Sequence, residues 1–225
     1  MGPIRITEDN YVLENVTVYN PDGDCILIEG ADNVTIRNST IGPCHGEIGT
    51  EDGKAIYALN STNIYIVQNS FVEEGRNAVQ FDKVDGGLID RNIVQYPQGT
   101  TNAEDLINLF ASHNIGVDGN VLSGGGPSDS GSCIMLGDGE GTNQTVINNT
   151  CTNPGQVGIG VAGGTNIRVR GNTIRSAPHP WSNVGGYIWN QYGSCSNVDF
   201  DPALNTIEWY SADGSRNDFW NGGGC

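Results

Sequence analysis

Three histidines are the side chains of this sequence that could exchange a proton near neutral pH. His45 lies in a loop beside a cysteine, His113 follows an apolar strand pattern, and His179 lies between two prolines. His113 is the best placed of them to abstract a proton, because it lies near a row of polar side chains on predicted strands. A turn histidine that bonds backbone groups is the alternative interpretation for each of the three.

Carboxylates form a second candidate group. Asp82 and Asp105 are predicted near the same edge of neighbouring strands, and Asp138 follows a later strand. Paired carboxylates are the usual acid and base of glycoside hydrolysis, and carboxylate oxygens also bind calcium. The sequence has no EF-hand, no calcium-binding nonapeptide and no zinc-type Cys/His spacing. Calcium is therefore a possible cofactor, no cofactor is certain, and no metal ligand is assigned.

Positive charge is scarce, with 10 Lys and Arg against 26 Asp and Glu. The cations fall in two groups: Lys54 with Arg76 and Lys83, and Arg175 with two preceding arginines. In so acidic a chain, either group is a candidate site for an anion, because the local field governs contact. Solvated surface charges are the alternative interpretation for the second group.

A repeated phrase predicts the elements that position these side chains. Asn114–Leu122 and Asn166–Ile174 share one pattern, in which apolar residues two apart are followed, three places on, by an asparagine. The asparagine recurs at successive spacings of 23, 28, 29 and 23 residues, at positions 69, 92, 120, 149 and 172. Repeats of this length indicate a solenoid. A second apolar strand precedes each phrase, so each repeat is strand, turn, strand and asparagine bend.

Stacking of such repeats predicts a parallel β-helix. Equivalent strands then lie roughly 4.8 Å apart, so residues about one repeat apart become neighbours. One outward row is predicted to contain Tyr57, Gln80, Asn108, Met135, Gly160 and Tyr187, and the next to contain Leu59, Asp82, Phe110, Gly137, Ala162 and Trp189. Amides and aromatic rings on one face suit a sugar chain. An ordinary solvated sheet face is the alternative.

The fold class is therefore all-β: a single-stranded parallel β-helix of about seven coils with an internal Asn ladder. Residues 1–225 are one domain, with residues 1–20 as an N-terminal cap and 211–225 as a tethered tail. The six cysteines fit the pairs Cys25–Cys44, Cys133–Cys151 and Cys195–Cys225, although other pairings are open. An even cysteine count and few lysines predict a secreted or periplasmic protein.

The net charge of -16 limits the classes of partner that the protein could bind. It argues against nucleic acid and against an anionic membrane, and it favours solubility. No apolar run is long enough to span a bilayer. The chain begins Met-Gly-Pro and shows no signal peptide, which we interpret as a mature sequence with a new start codon. We expect a monomer.

The Asn-ladder pattern over about residues 24–210 resembles the right-handed parallel β-helix superfamily, which includes pectate lyases, alginate lyases, chondroitinase-type lyases and mannuronan C5-epimerases. The segments Ile134–Gly139, Val157–Gly164 and Val184–Tyr192 look like secreted bacterial β-helix proteins, and small alginate lyases are the nearest group. Ala177-Pro-His179 lacks the acid of the epimerase motif Asp-Pro-His, so no catalytic residue carries over by motif.

The resemblance implies a secreted polysaccharide lyase that cleaves an acidic uronate polymer, preferably alginate, by β-elimination. That reaction needs a neutralised carboxylate, a base and an acid. Gln80, Asn108 and Lys83 are candidates for the first role. His113 or Lys54 would be the base, and Tyr57 or Tyr187 the acid.

Other members of the predicted substrate-binding set are Asp82, Arg175, His179 and Trp189. Two other classes of function stay open. One is a carbohydrate-binding β-helix without catalysis. The other is a glycoside hydrolase that uses Asp82 with Asp105 or Asp138, or an epimerase on the same fold.

Overall fold

The computed structural model describes residues 1–46, 50–73, 75–99, 103–127 and 130–225. Its strands form three parallel sheets, and each coil of the chain gives one strand to each sheet in turn. This is the predicted all-β parallel β-helix. Among the described residues, no helix combines the length and the apolar character that a membrane span requires.

The strands fall into three sets. The first sheet contains β1 (Ile4–Ile6), β4 (Ile26–Glu29), β7 (Ile56–Leu59), β10 (Val79–Asp82), β13 (Ile107–Phe110), β16 (Ser132–Leu136), β19 (Val157–Val161), β22 (Val184–Ile188) and β25 (Phe219–Asn221). The second contains β2 (Val12–Glu14), β5 (Asp32–Arg37), β8 (Thr62–Val67), β11 (Asp85–Asp90), β14 (His113–Asp118), β17 (Thr142–Ile147), β20 (Gly164–Arg170) and β23 (Cys195–Asp199). The third contains β3 (Thr17–Asn20), β6 (Thr40–Cys44), β9 (Ser70–Val72), β12 (Ile93–Gln98), β15 (Val121–Gly125), β18 (Thr150–Thr152), β21 (Thr173–Ser176) and β24 (Thr206–Trp209).

The core forms because apolar side chains alternate along each strand and stack from coil to coil. In β7, Ile56 and Ala58 are fully buried, whereas Tyr57 and Leu59 between and after them point outward. Register places the buried Ile56 beside Val79, and Val79 beside Ile107. Each inward row is therefore a continuous apolar column, and each outward row is a ladder of side chains at strand spacing.

Each coil has three strands, one more than the two that the sequence predicted. The third-sheet strands are as short as three residues, as in Ser70–Val72 and Thr150–Thr152, where only Phe71 or Cys151 points into the core. So short a segment shows no alternation in sequence. The segment 1–20, predicted to be a cap, supplies β1, β2 and β3, which pair with the coil that follows. The described residues thus make eight full coils, and β25 adds a ninth strand to the first sheet.

The predicted internal Asn ladder is confirmed. Each buried asparagine accepts, through its side-chain oxygen, the backbone N–H of the asparagine one coil earlier, for example Asn69 to Asn92 and Asn92 to Asn120, both at 2.9 Å. The ladder runs further than the repeat indicated, since Asn172 donates its backbone N–H to Asn205 Oδ1 at 3.0 Å. Ser39 occupies the equivalent position at the other end and donates to Asn69.

A second asparagine ladder lies on the surface. Asn114, Asn143 and Asn166 all have positive φ, at 58°, 54° and 58°, a conformation that asparagine tolerates better than most residues. Asn143 donates to Asn114 Oδ1 and Asn166 to Asn143 Oδ1, each at 2.9 Å. The repeated phrase therefore begins with a surface-ladder asparagine and reaches an internal one six residues later.

All three predicted disulfides are present. Cys25–Cys44 and Cys133–Cys151 lie within the core, and their four cysteines are fully buried. Cys195–Cys225 joins the start of β23 to the C-terminal residue, and Cys225 is exposed. The first two disulfides fix single coils, whereas the third holds the tail against the end of the solenoid.

Candidate functional site

A cleft of about 810 Å³ lies on the outer face of the first sheet. Its floor is the predicted outward row, because register places Gln80 beside Asn108, Asn108 beside Met135, and Gly160 beside Tyr187. The row continues one step beyond the prediction, to Trp220 on β25. The cleft occupies the part of the row from Gln80 to Trp220.

Two carboxylates meet at one amide on the cleft floor. Asn108 Nδ2 donates to Asp105 Oδ2 at 2.7 Å and to Asp138 Oδ2 at 3.3 Å. Asp105 precedes β13, and Asp138 begins a short 3₁₀ turn, Asp138–Glu140, that follows β16. Stacking of two neighbouring coils thus brings together acids that are far apart in the chain.

Asp105 is held in a buried environment. Only 6% of its surface is exposed, and Oδ1 accepts from the backbone N–H of Ser132 at 2.7 Å and from the Ser132 hydroxyl at 2.6 Å. Burial raises the pKa of Asp105 to about 7, although the hydrogen bonds from Ser132 and Asn108 act in the opposite direction. A carboxyl group with this pKa is partly protonated at neutral pH.

Two tyrosine hydroxyls flank the carboxylates. The Tyr187 hydroxyl donates to Met135 Sδ at 3.3 Å, and the Tyr192 hydroxyl donates to Asp138 Oδ1. Burial is the main reason that the pKa of Tyr187 lies above its usual value, and Asp105 and Asp138 add to the shift. Burial and the contact with Asp138 raise the pKa of Tyr192 to about 12. Both hydroxyls are therefore protonated donors.

Two buried amide oxygens of the cleft have no hydrogen-bond partner among the residues that the structure describes. Asn77 Nδ2 donates to the Asp105 carbonyl at 2.8 Å, and Asn108 Nδ2 donates to the carboxylates, but both side-chain oxygens remain unpaired. Buried polar atoms are normally satisfied, and those that are not often face a ligand. These two oxygens are acceptors for a ligand that brings hydroxyl or N–H donors.

The end of the cleft nearer the N-terminus is charged. Arg76 is mostly buried, and its guanidinium pairs with Glu104 and with Glu51, the latter at 3.1 Å. It also donates to the Thr50 carbonyl at 2.9 Å. The cationic group of this arginine is thus already neutralised by carboxylates of the cleft wall.

The opposite end of the cleft is aromatic. Trp189 and Trp220 are 46% and 49% exposed, and their ring centroids lie 6.4 Å apart in an edge-to-face arrangement. The Tyr187 ring lies 6.3 Å from that of Trp220. Flat apolar rings at one end and carboxylates at the centre make a cleft of mixed character.

Four of the sequence candidates lie on first-sheet strands, or within two residues of one, but outside the residues that line the cleft. The Tyr57 hydroxyl donates to Asp82 Oδ2 at 3.3 Å, and Lys54 Nζ lies 5.0 Å from the Tyr57 ring centroid. Lys54 is buried, and it bonds the carbonyl of Glu51. Lys83 is exposed and pairs with Asp82 at 3.7 Å. These residues contact one another in a cluster beside the N-terminal end of the cleft, and none of them lines it.

Three further candidates lie away from the first sheet. His113 begins β14 in the second sheet, and its Nδ1 lies 2.9 Å from Thr142 Oγ1. Arg175 is on β21 in the third sheet and faces Glu208 at 3.8 Å. His179 stacks on Trp181 with ring centroids 5.0 Å apart. None of the three lines the cleft, so the structure does not bring the predicted base near Tyr187.

The structure brings together Gln80, Asn108, Tyr187 and Trp189 of the predicted set, together with the open hydrolase candidates Asp105 and Asp138. Sequence reasoning missed Asn77, Tyr192 and Trp220. For Trp220 a signal was available, because the outward row extends by one further step to the tail. Within the described ranges, no three His, Cys, Asp or Glu side chains are grouped as around a metal ion, and calcium stays a prediction.

The absence of a side chain at Gly160 lets Tyr187 reach Met135 across an intervening coil. A β-carbon at this position would lie 2.7 Å from Tyr187 Cε1 and 3.0 Å from Met135 Sδ. We expect Gly160→Ala to displace the tyrosine ring at a cost of about 1–3 kcal/mol, as for other overpacked sites. Thermal unfolding and the near-ultraviolet circular dichroism of the aromatic residues would report both changes.

Gly116→Ala is the matched control for this substitution. A β-carbon there would approach only the Cδ1 end of the flexible Leu88 side chain, on the second sheet. We expect a smaller loss of stability and an unchanged aromatic spectrum. Equal effects of the two substitutions would contradict the role given to Gly160.

Comparisons with known proteins agree with the fold. Residues 3–174 match the family model described as a right handed beta helix region. A search of curated protein sequences finds no match. Similar solved structures include DFA-IIIase from Arthrobacter chlorophenolicus A6 as a cysteine-to-alanine mutant, at 17% identity and a TM-score of 0.64, covering 92% of this chain and 57% of that one.

Two further structures of the same enzyme contain ligands. The complex with GF2 has 18% identity and a TM-score of 0.61, covering 92% of this chain and 57% of that one. The mutant in complex with DFA-III has 16% identity and a TM-score of 0.64, covering 94% of this chain and 57% of that one. At these identities the likeness shows the fold alone. The chain spans 57% of the length of these proteins.

Proposed function

This chain belongs to the family of right-handed β-helix regions, and on that premise we propose that its cleft cleaves a glycosidic bond in a neutral oligosaccharide or polysaccharide. The observation that carries the proposal is the pair Asp105 and Asp138, joined by the amide of Asn108 on the cleft floor. Glycoside hydrolysis uses two carboxyl groups that flank the scissile bond, of which one is the acid and the other the base or the nucleophile.

The two acids would have different roles because their surroundings differ. Asp105, with its raised pKa, carries the proton and gives it to the glycosidic oxygen as the bond to the anomeric carbon breaks. Because both carboxylates bond the same nitrogen, at 2.7 and 3.3 Å, they are too close for a water to lie between them, so Asp138 attacks the anomeric carbon as the nucleophile. Asp105, now deprotonated, takes the proton of the water, or of a second sugar hydroxyl, that then displaces Asp138 from that carbon. With water the reaction is hydrolysis, and with a sugar hydroxyl it is transfer.

A neutral substrate fits the charges of the cleft better than a uronate polymer does. Glu51, Glu104, Asp105 and Asp138 all line it, whereas its one arginine, Arg76, is already paired. A polyanion would meet these carboxylates, and the described residues that line the cleft include no cation outside an ion pair to balance it. The acidic polysaccharide expected from sequence therefore has less support here than a neutral one.

The polar and aromatic features of the cleft also suit a sugar. The unpaired oxygens of Asn77 and Asn108 can accept hydroxyl protons, and the Tyr187 and Trp220 rings offer apolar surface to the C–H face of a sugar ring. The similar DFA-IIIase structures in complex with GF2 or DFA-III support a cleft that binds a small ligand on this fold.

The polyuronate lyase, alginate-specific by preference, is the second candidate. Its specific support is that Gln80, Asn108 and Tyr187, three of the residues predicted for that reaction, line one cleft. The raised pKa of Tyr187 suits an acid that donates its proton to the leaving oxygen. The lyase reaction also needs a base beside Tyr187, but His113 and Lys54, the two predicted bases, lie outside the cleft.

A single assay separates the candidates. The protein is incubated with neutral gluco-, xylo-, galacto- and fructo-oligosaccharides, and separately with alginate and polygalacturonate. We expect new reducing ends or transfer products from a neutral substrate, without ultraviolet absorbance of an unsaturated uronate. Rising absorbance on alginate would support the lyase. Binding without any product would support the non-catalytic module.

The pH dependence should follow the proton on Asp105. Since this group must be protonated to act, kcat/KM is expected to fall as pH rises through about 7, the pKa to which burial raises it. Above that pH the decline should approach tenfold per pH unit. A rate profile measured from pH 5 to 9 tests this, and a profile that is flat across that range would contradict the assignment.

We further propose that the protein works outside the reducing cytoplasm, secreted or in a periplasm, because its three disulfides persist in oxidising compartments. Fractionation of the producing cells, followed by detection of the protein in each fraction, tests this. A monomeric state stays a prediction from the sequence, and sedimentation of the purified protein would measure it.

A further inference from the structure

Two tryptophans at one end of the cleft, Trp189 and Trp220, leave nearly half of their surfaces exposed. We infer that Trp220, with Trp189 and Tyr187, forms a sugar-stacking subsite, and that the disulfide-held tail builds it. The subsite would bind a unit of the same glycan that is cleaved at Asp105, so the inference rests on the proposed function for its place in the reaction. Binding itself does not depend on cleavage.

The tail reaches the cleft as a strand. Register in the first sheet places Trp220 directly beside Tyr187, and the Gly222 N–H donates to the Ile188 carbonyl at 2.9 Å. Asn190 Nδ2 donates to the Gly224 carbonyl at 3.0 Å. The tail thus continues the floor of the cleft by one strand and puts an indole ring where the outward row would otherwise end.

The disulfide is the covalent part of this arrangement. The three glycines 222–224 before Cys225 have little conformational preference, so without the bond to Cys195 the segment 222–225 would have many conformations to lose on docking. Cys225 is exposed, whereas the cysteines of the other two disulfides are fully buried. The bond that holds the subsite can therefore be removed without touching the core of the solenoid.

The rings are arranged to receive a ligand rather than to fill a core. Trp220 and Trp189 each leave nearly half of their surface in water, at 49% and 46%, and meet edge to face. The backbone at Gly222 lies against the Trp220 ring, since a β-carbon there would lie 2.6 Å from it. One side of the ring is thus fixed by the tail, and the exposed remainder continues the cleft surface.

The position of the subsite predicts the length of the substrate. Trp220 is on β25, and the turn that carries Asp138 follows β16, which is three strand spacings away, or roughly 14 Å along the axis. Such a separation is longer than one sugar ring. The aromatic subsite therefore binds a unit remote from the scissile bond, and the substrate class is an oligosaccharide or a longer chain rather than a disaccharide.

Binding measurements in an Asp105→Asn background test the inference without consumption of the ligand. Titration calorimetry with neutral gluco-, xylo-, galacto- and fructo-hexasaccharides identifies a ligand, and Trp220→Ala is then expected to weaken its binding by about tenfold. The double variant Cys195→Ser/Cys225→Ser should weaken it similarly. Trp181→Ala, which removes a tryptophan outside the cleft, should change the affinity by less than twofold.

Substrate length supplies a second readout in the protein with Asp105 intact. Trp220→Ala should raise KM for the hexasaccharide by a larger factor than it raises KM for the shortest cleaved substrate, whereas Trp181→Ala should leave KM for both within twofold of the parent. Hexasaccharide affinity within twofold of the parent would overturn the subsite, as would failure of all four hexasaccharides to bind. Cleavage that persists in Asp105→Asn, with binding that still depends on Trp220, would overturn the proposed roles of the acids and leave the subsite standing.

Discussion

Asp105→Asn is expected to lower kcat by roughly 10²–10⁴-fold, the usual contribution of a positioned general acid. The amide has the shape of the carboxyl group but carries no proton that it can give to the glycosidic oxygen. Its oxygen can still accept from the backbone and hydroxyl of Ser132, so the local fold has the same anchor. Steady-state rates on the substrate identified in the product assay, compared with the parent protein, measure the effect.

The expected fall in kcat of Asp105→Asn should not be due to a loss of stability. A neutral amide removes the cost of burying a charge at Asp105, which offsets the lost hydrogen bond from Asn108 Nδ2, and that nitrogen keeps Asp138 as its acceptor. We therefore expect a melting temperature close to that of the parent protein. KM should also change little, because the residue is nearly buried and acts mainly in the transition state.

Asp82→Asn is the matched control. Asp82 is the last residue of β10, in the coil before the one that contains Asp105, but its Oδ2 accepts from the Tyr57 hydroxyl outside the cleft. We expect its rate to stay within twofold of the parent. If Asp105→Asn kept more than a tenth of the parent kcat, or if Asp82→Asn lost as much activity, Asp105 would not be the acid.

The part of the fold that repeats could be predicted from sequence. Spacing alone gave the internal asparagines from 69 to 172, and it placed Gln80 beside Asn108 and Gly160 beside Tyr187. The pair Cys25–Cys44 fitted the spacing because its members are separated by less than one coil, whereas the spacing left other pairings of the six cysteines open. Strands such as Thr150–Thr152 could not be predicted, because a segment with one buried side chain has no period to detect.

The candidate site depends mostly on what does not repeat. Asp105 and Asp138 lie just outside strands, Tyr192 is in a loop, and Trp220 is in the tail, so no repeat spacing fixes their distance from Asn108. His113 follows Ala111, whose φ is 46°, and this bend carries it from the first sheet to the second. His113 was predicted to be the base because it is close in sequence to the outward row, but the turn at Ala111 places it on another sheet.

The largest expected loss of stability comes from Asn120→Ala, in the centre of the internal ladder. The Asn120 amide donates to the Ile89 carbonyl at 2.9 Å and to Asn149 Oδ1 at 2.8 Å, and its oxygen accepts both the N–H and the side-chain amide of Asn92 at 2.9 Å. The residue is fully buried, so water cannot replace these partners. Since each unsatisfied buried group costs about 1–3 kcal/mol, we expect a total of roughly 3–5 kcal/mol.

A substitution in the surface ladder separates the effect of burial on stability from the effect of a repeated contact. Asn143 also bonds an asparagine in the neighbouring coil, Asn114, at 2.9 Å, but it is exposed, and water can take over its hydrogen bonds. Asn143→Gly keeps the positive φ of 54° without strain, and we expect a loss of less than about 1 kcal/mol. Thermal and urea unfolding of both variants measure the difference, about 10 °C in Tm at this chain length. Equal losses of stability in the two variants would mean that each ladder stabilises the solenoid through its repeated contacts along the axis. A large loss for Asn120→Ala alone would mean that the internal asparagines are indispensable because water is excluded from them.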